Sequence, residues 1–428
     1  MAHVDLAKYQ SDHLILLVGG NPLPNAVAAQ LLAASDATIW LLHSGGDSGN
    51  DVGTKSVAEN LEMYLQGKNK KWTIHLEPIP SAENVGIKSR MREIIGKDEM
   101  NGRIGLHYTG GTKSMSIHTY RELEQLLGNN QPRPIFSYLD PNKLALRIDG
   151  YGTEPSRFFP ILKTDNLRHS INISHLDQLA ALHNYEPAIN SNDEKWGESE
   201  DILALAKAMV QTYITPQGRE QWKRLWLQWR RTPKDQDFDL PDRDNYSALS
   251  PVVAALDKLC GVSATANKVA KALLPHKENP TLRSCSKWFL GVWLELYAAF
   301  SFAQLPDNLH ISYHGTNLFY RNRTHGSDHF ELDMAGIIGY QLFAVSCIAT
   351  PNKSQAKEHF LEIYVRARQL GGDEARIGLI CLVEDQKRLE EEIKSLWDAE
   401  GKVKVFGIDN LTNLTTHLTD WLHKQSNL

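Results

Sequence analysis

Short apolar runs and amphipathic stretches alternate through the first third of the chain. LILLV (14–18) is continuously apolar and ends in Gly-Gly, the pattern of a strand buried on both faces. AVAAQLLAAS (26–35) has helical spacing, and ATIWLLHS (37–44) reads as a second strand ending at Ser44-Gly45. Thr54–Gln66 is predicted helical, KWTIHLEPI (71–79) a third strand, and Lys88–Ile95 a helix. RIGLHY (103–108) is a fourth strand ending in TGGTKS, followed by a helix over Met115–Leu127. RPIFSYLD (133–140) and KLALRID (143–149) are further strand candidates. Strands alternating with helices predict βαβ units and a parallel sheet covered on both faces. Right-handed crossovers make the doubly wound order the default, with strand one beside strand four. Their C-terminal loops, GGNPLPN and TGGTKS, then flank the crevice where such sheets bind ligands.

From about Arg168 to Thr281 the pattern turns helical, interrupted by NSNDEKWGESED and RTPKDQDFDLPDRDNYS, which read as polar loops. From Leu282 it changes again. A helix, SKWFLGVWLELYAAFSFAQL, precedes the strands HISYHGTNLF, HFELDMAGII and YQLFAVSCIA. The helix SQAKEHFLEIYVRARQL, the strand RIGLICLV, the helix DQKRLEEEIKSLWDAE, the strand KVKVFGI and a last helix follow. The expected division is an α/β, Rossmann-like doubly wound domain over 1–165, a helical middle region over 166–280, and a second α/β domain over 281–428.

The chain has 428 residues, 42% hydrophobic and 23% charged, the balance of a soluble globular protein. No apolar run approaches the ~20 residues of a membrane span, and the polar N-terminus lacks the core of a leader peptide. The expectation is a cytoplasmic protein without a membrane partner. Four cysteines without CxxC spacing argue against a zinc site or a disulfide framework. With a formal net charge of -5, any nucleic-acid surface must be local.

Two glycine-rich loops carry the candidate chemistry. In TGGTKS, Gly110 and Gly111 let the backbone approach a ligand. The helix that follows points its free N–H groups at the loop. Lys113 adds a cation, and the hydroxyls of Thr109, Thr112 and Ser114 can donate to phosphate. In the facing loop Asn21 and Asn25 could read base or ribose edges, with Gly20 and Pro22 beside them in the expected ligand site and Ser44 and Gly45 at the neighbouring strand end. The alternatives are a helix cap with a solvated lysine, and an Asn-Pro turn.

HYTGGTKSM, GGNPLPN and SYLD resemble the CRISPR-associated Rossmann fold (CARF) sensor domain. GVWLELY, FELDMAG, LFAVSC and RQLGGDEARIGLI resemble the restriction-endonuclease-like, PD-(D/E)xK-type domain of the CARF nucleases of the DUF1887 type. The resemblance implies a homodimer binding one cyclic oligoadenylate across its twofold axis, with cyclic tetra-adenylate the expected ring. It also implies an accessory effector of type III CRISPR defence that cuts DNA and/or RNA with Mg2+ or Mn2+. Glu295 would be the helix carboxylate and Asp333 the strand carboxylate, together the metal ligands.

The family's next strand carries Glu-x-Lys, whereas this chain reads Ser346-Cys347-Ile348. A carboxylate and the only cation are missing. Lys353 or Lys357 could supply the cation from the following helix, and Glu362 or Glu331 the carboxylate. Alternatives are a nuclease-dead protein that binds or scaffolds, and a ligand-responsive regulator whose helical middle region contacts DNA. Trp222, Leu225, Trp226 and Trp229 recur at helical spacing with Lys223 and Arg224 interleaved; the expectation is a buried face. Arg323 and His329 have the spacing of a HEPN ribonuclease pair but sit on a polar loop instead of a helix.

Overall fold

The computed structural model describes residues 5–45, 53–97, 100–129, 132–171, 173–189, 196–231, 246–261, 263–326 and 329–426. Most of the two polar interruptions of the helical stretch lies outside the described residues.

The first sheet joins β1 (Ser11–Val18), β2 (Ala33–Ser44), β3 (Thr73–Ile79), β4 (Ile104–His107), β5 (Ile135–Asp140), β6 (Ala145–Ile148) and β7 (Arg157–Pro160). Their order is β3-β2-β1-β4-β5-β6-β7. The first five strands run parallel, and β6 and β7 return antiparallel. The expected neighbours β1 and β4 pair from His13↔Ile104 to Leu16↔His107. Helices α1 (Leu23–Leu32), α2 (Lys55–Lys68), α3 (Asn84–Ile95) and α4 (Lys113–Leu127) cover this sheet. The helix expected through Ser35 stops at Leu32. Ala33 turns extended and pairs with Ser11, so a cross-strand ladder overrides alanine's helix preference.

Next come α5 (Asp165–Ser170), α6 (Leu176–Leu182), β8 (Tyr185–Pro187), α7 (Glu200–Tyr213), α8 (Pro216–Arg231), α9 (Ser250–Cys260) and α10 (Ala266–Leu273). β8 interrupts the stretch expected to be helical and pairs with the edge of the second sheet. A π-helical turn, Trp288–Val292, leads into α11 (Trp293–Ala303). The second sheet adds β9 (Ile311–Asn322), β10 (His329–Ile338), β11 (Gln341–Ile348), β12 (Arg376–Cys381) and β13 (Val403–Phe406), in the order β13-β12-β11-β10-β9-β8. Helices α12 (Lys353–Gly371), α13 (Gln386–Trp397) and α14 (Leu414–Ser426) complete the chain.

Side chains alternate across the second sheet, as the strand period of two requires. Met334, Phe343, Val345 and Ile380 pack with α7, α8, α11 and α14. Ala335, Ile337, Ala344 and Leu379 face the other way, into the core built with α12, α13 and the first sheet's α1 and α2. Trp222, Leu225, Trp226 and Trp229 are all buried, so the aromatic stripe of α8 is core, as its spacing predicted. Among the described residues no helix is long and apolar enough to cross a membrane.

Candidate functional site

The two glycine-rich loops meet at the C-terminal ends of β1 and β4. A Cβ on Gly110 would stand 2.0 Å from the Leu17 carbonyl oxygen, so only glycine lets the loops close to backbone contact. Gly111 has φ +73°, left-handed backbone that costs other residues ~1–2 kcal/mol. Thr112 caps α4, accepting from Met115 N at 3.1 Å, and donates to the Ser81 carbonyl. Ser114 Oγ donates to Ala82 O at 2.9 Å, and Thr109 Oγ1 accepts from Leu139 N at 2.7 Å. The three hydroxyls expected to meet phosphate therefore hold the loop in shape. Lys113 opens α4, is exposed, and has no ion-pair partner among the described residues. Its ammonium and the helix's first N–H groups are what the loop presents to an anion.

Across the crevice, Asn21 Oδ1 accepts from Leu23 N at 3.0 Å beside Gly20 and Pro22. Asn25 is fully buried and its Nδ2 donates to Leu17 O at 2.9 Å, so it braces β1 from beneath. Ser44 is tied to Thr54 through backbone and side chain, next to Gly45. His107, on β4, is sealed in; burial pushes its imidazole down to about 3, and Nδ1 lies 3.0 Å from Ser137 Oγ.

The same loop touches the second sheet's helices. Gly372, at φ +61°, closes α12 against Asn21; a Cβ there would sit 1.8 Å from the Asn21 amide nitrogen. A cavity of about 500 Å3 opens beside this contact, between Gly20–Pro22 and Arg368, Gln369 and Asp373. One end of α12 thus meets the crevice between the glycine-rich loops, and residues nearer its other end line the second candidate site.

That site forms where β10 and β11 pair. Asp333 and Ser346 stand opposite each other, one step beyond the Met334↔Val345 pair, and face α12. Asp333 Oδ2 accepts from Ser346 Oγ at 2.9 Å and from Cys347 N at 2.6 Å. Ser346 Oγ also lies 3.1 Å from His359 Nδ1 on α12. A cavity of about 260 Å3 is lined by these residues together with Glu295, Glu331, Glu362, Lys287, Asn317 and Trp196. Burial pushes the Asp333 carboxyl above its ordinary range, against the hydrogen bonds it accepts. Burial also pushes the Cys347 thiol well up, which keeps this small core residue protonated.

The structure brings Glu295 and Asp333 to one cavity, with Glu331 and Glu362. It does not bring Lys353 and Lys357 there. At 100° per residue, Gln355, Glu358, His359 and Glu362 share the cavity-facing side of α12, and the two lysines lie on the opposite side. Lys357 Nζ is 2.6 Å from Glu392 and Lys353 Nζ 3.8 Å from Asp385. His359 was not singled out in the sequence; its signal was a histidine two residues past Lys357, on the opposite face of the helix after the degenerate strand.

The donors are hard oxygens, right in type for Mg2+ or Mn2+, but the arrangement does not fit the ion expected at Glu295 and Asp333. Among the described residues no group of three or more His, Cys, Asp and Glu side chains could hold a metal, and Asp333 Oδ2 is already taken by two protein donors. Arg323 lies just past the end of β9, 3.9 Å from Glu186, and His329 opens β10, so neither residue sits on a helix.

No family model matches the chain, and no curated protein sequence matches it. Solved structures do match in fold. Protein VC1899 from Vibrio cholerae superposes with a TM-score of 0.65 at 15% identity, covering 97% of this chain and 98% of that one. Can2 from Sulfobacillus thermosulfidooxidans, solved in complex with cyclic tetra-adenylate, superposes with a TM-score of 0.62 at 14% identity, covering 96% and 97%. Over nearly its whole length the chain therefore has a fold seen before: a Rossmann-like N-terminal sheet, a helical centre and a mixed C-terminal sheet.

Proposed function

We propose that this chain is a homodimeric effector of type III CRISPR defence. Residues 1–165 sense a cyclic oligoadenylate, cyclic tetra-adenylate foremost. Residues 281–428 act on DNA or RNA, and 166–280 pack beside them. The observation that carries the reading is the crevice itself: two glycine loops in backbone contact, with Lys113, without an ion-pair partner among the described residues, at the start of α4. Such a site favours a polyanion, and a twofold pair of them matches a cyclic one. The fold likeness to a protein solved with cyclic tetra-adenylate supports the choice of ring. The Asn21–Gly372 contact gives ligand occupancy a route to α12.

The test is calorimetry with cyclic tri-, tetra- and hexa-adenylate, light scattering, and a cleavage assay. The assay supplies labelled single- and double-stranded DNA and RNA with Mg2+ or Mn2+. The expected results are ring binding, a dimer mass and ligand-dependent cutting lost in Glu295→Ala and Asp333→Ala. No binding to any ring, or a mass of one 48.2 kDa chain with and without ligand, would refute the sensor reading. A second reading, a binding-only protein, is favoured by the two lysines committed to α13. It wins if the ring binds and nothing is cut.

A further inference from the structure

We infer that His359 takes over the proton-accepting role of the missing strand lysine, held for it by Ser346 and Asp333. The inference rests on the nuclease reading above and names the residue that makes it chemically possible.

The argument is one of hydrogen-bond direction. With Asp333 ionised, or carrying its proton on Oδ1, Oδ2 is an acceptor and takes the Cys347 N–H at 2.6 Å. The Ser346 hydroxyl has a single hydrogen, and it goes to that same oxygen at 2.9 Å. Ser346 Oγ can then meet His359 Nδ1, 3.1 Å away, only by accepting from it. The chain Asp333←Ser346←His359 therefore fixes the proton of a neutral imidazole on Nδ1 and leaves the lone pair on Nε2. Nε2 has no hydrogen-bond partner among the described residues, and the ring lines the cavity beside Glu295 and Asp333. Serine and isoleucine in place of Glu-x-Lys are then not a simple loss. A glutamate at 346 would accept from the imidazole but could not donate to Asp333, and two carboxylates would face each other.

The step is hydrolysis of a nucleic-acid phosphodiester. A water gives its proton to His359 Nε2 as its oxygen bonds to phosphorus. The bond from phosphorus to the leaving sugar oxygen breaks, and that oxygen takes a proton from solvent. Water is the only co-reactant. His359 is the catalytic residue; Ser346 is a positioning residue.

The test uses full-length protein saturated with cyclic tetra-adenylate, Mn2+ present, and the labelled substrates above. His359→Gln should cut at least ~10²-fold more slowly, the scale of a lost general base. Its ligand affinity and melting temperature should match wild type, which separates lost chemistry from lost fold. His359→Gly should recover activity when imidazole is added, whereas Ser346→Ala should lower kcat, leave KM unchanged and ignore imidazole. Wild type that cuts while His359→Gln cuts equally well overturns the inference and spares the proposed function. Wild type that binds the ring and cuts nothing overturns both the nuclease reading and the role given to His359. A slow His359→Gly variant indifferent to imidazole assigns the histidine a structural part and also overturns it.

Discussion

Glu374 offers a measurement that links burial to pH. It follows Gly372-Asp373 directly, at the seam with Asn21, and is 2% exposed. Among the described residues its Oε2 has no hydrogen-bond partner, and neither does the buried Tyr340 hydroxyl. The nearby Arg376 guanidinium donates to the carbonyls of Asp373, Glu374 and Ala375 and to Gln425, so it does not pair the carboxylate. Burial dominates, with Asp373 adding repulsion, and the carboxyl is pushed from 4.5 up to about 7 despite Arg376 and Lys402. The folded state thus holds this proton more tightly than the unfolded chain does. Its contribution to stability is complete below pH 4.5 and is lost as pH rises through about 7. At ~1.4 kcal/mol per tenfold change in proton affinity, the gap comes to about 3 kcal/mol. Glu374→Gln removes the ionisation and keeps the shape. It should be more stable than wild type by about 3 kcal/mol at pH 8, and by well under half of that at pH 5. Urea melts of both proteins at the two pH values measure the difference. Parallel pH dependence in wild type and variant would refute the reasoning, because the buried carboxyl would then titrate as it does in the unfolded chain.

Three further outcomes follow from the geometry. Lys113→Ala should weaken cyclic tetra-adenylate binding at least tenfold in calorimetry, since charged hydrogen bonds contribute ~1.5–3 kcal/mol, without moving the melting temperature of this exposed side chain; unchanged affinity places the ligand elsewhere. Trp222→Ala should destabilise by about 3–5 kcal/mol in denaturant melts, because Trp222 packs 5.5 Å from Phe289 and 5.7 Å from Trp229; a neutral result would make the stripe a surface. Gly372→Ala should drive Asn21 from its seat and lose ligand-dependent cutting at ring concentrations that saturate binding; full activation would remove α12 from the route between the sites.

Much of the architecture is legible in the residues alone. Apolar runs and their spacing marked nearly every strand and helix of both sheets, because the two periods are properties of the local backbone. HFELDMAGII coincides with β10. The loop order placed β1 beside β4, and the i, i+3, i+4, i+7 stripe of α8, three tryptophans and Leu225, read correctly as core. β7 and β8, four and three residues long, carry no period to detect and exist because a neighbouring edge offers hydrogen bonds. Side-chain partners were not legible where a local backbone hydrogen bond was on offer. The hydroxyls of Thr109, Thr112 and Ser114 are donors in any sequence reading, but packing against Ser81, Ala82 and Leu139 decides what they bond. Lys353 and Lys357 are the nearest lysines along the chain, yet the rotation of α12 on its sheet turns them to α13 and brings His359 to Ser346. Spacing fixes which residues share a helix face; only packing fixes which way that face looks.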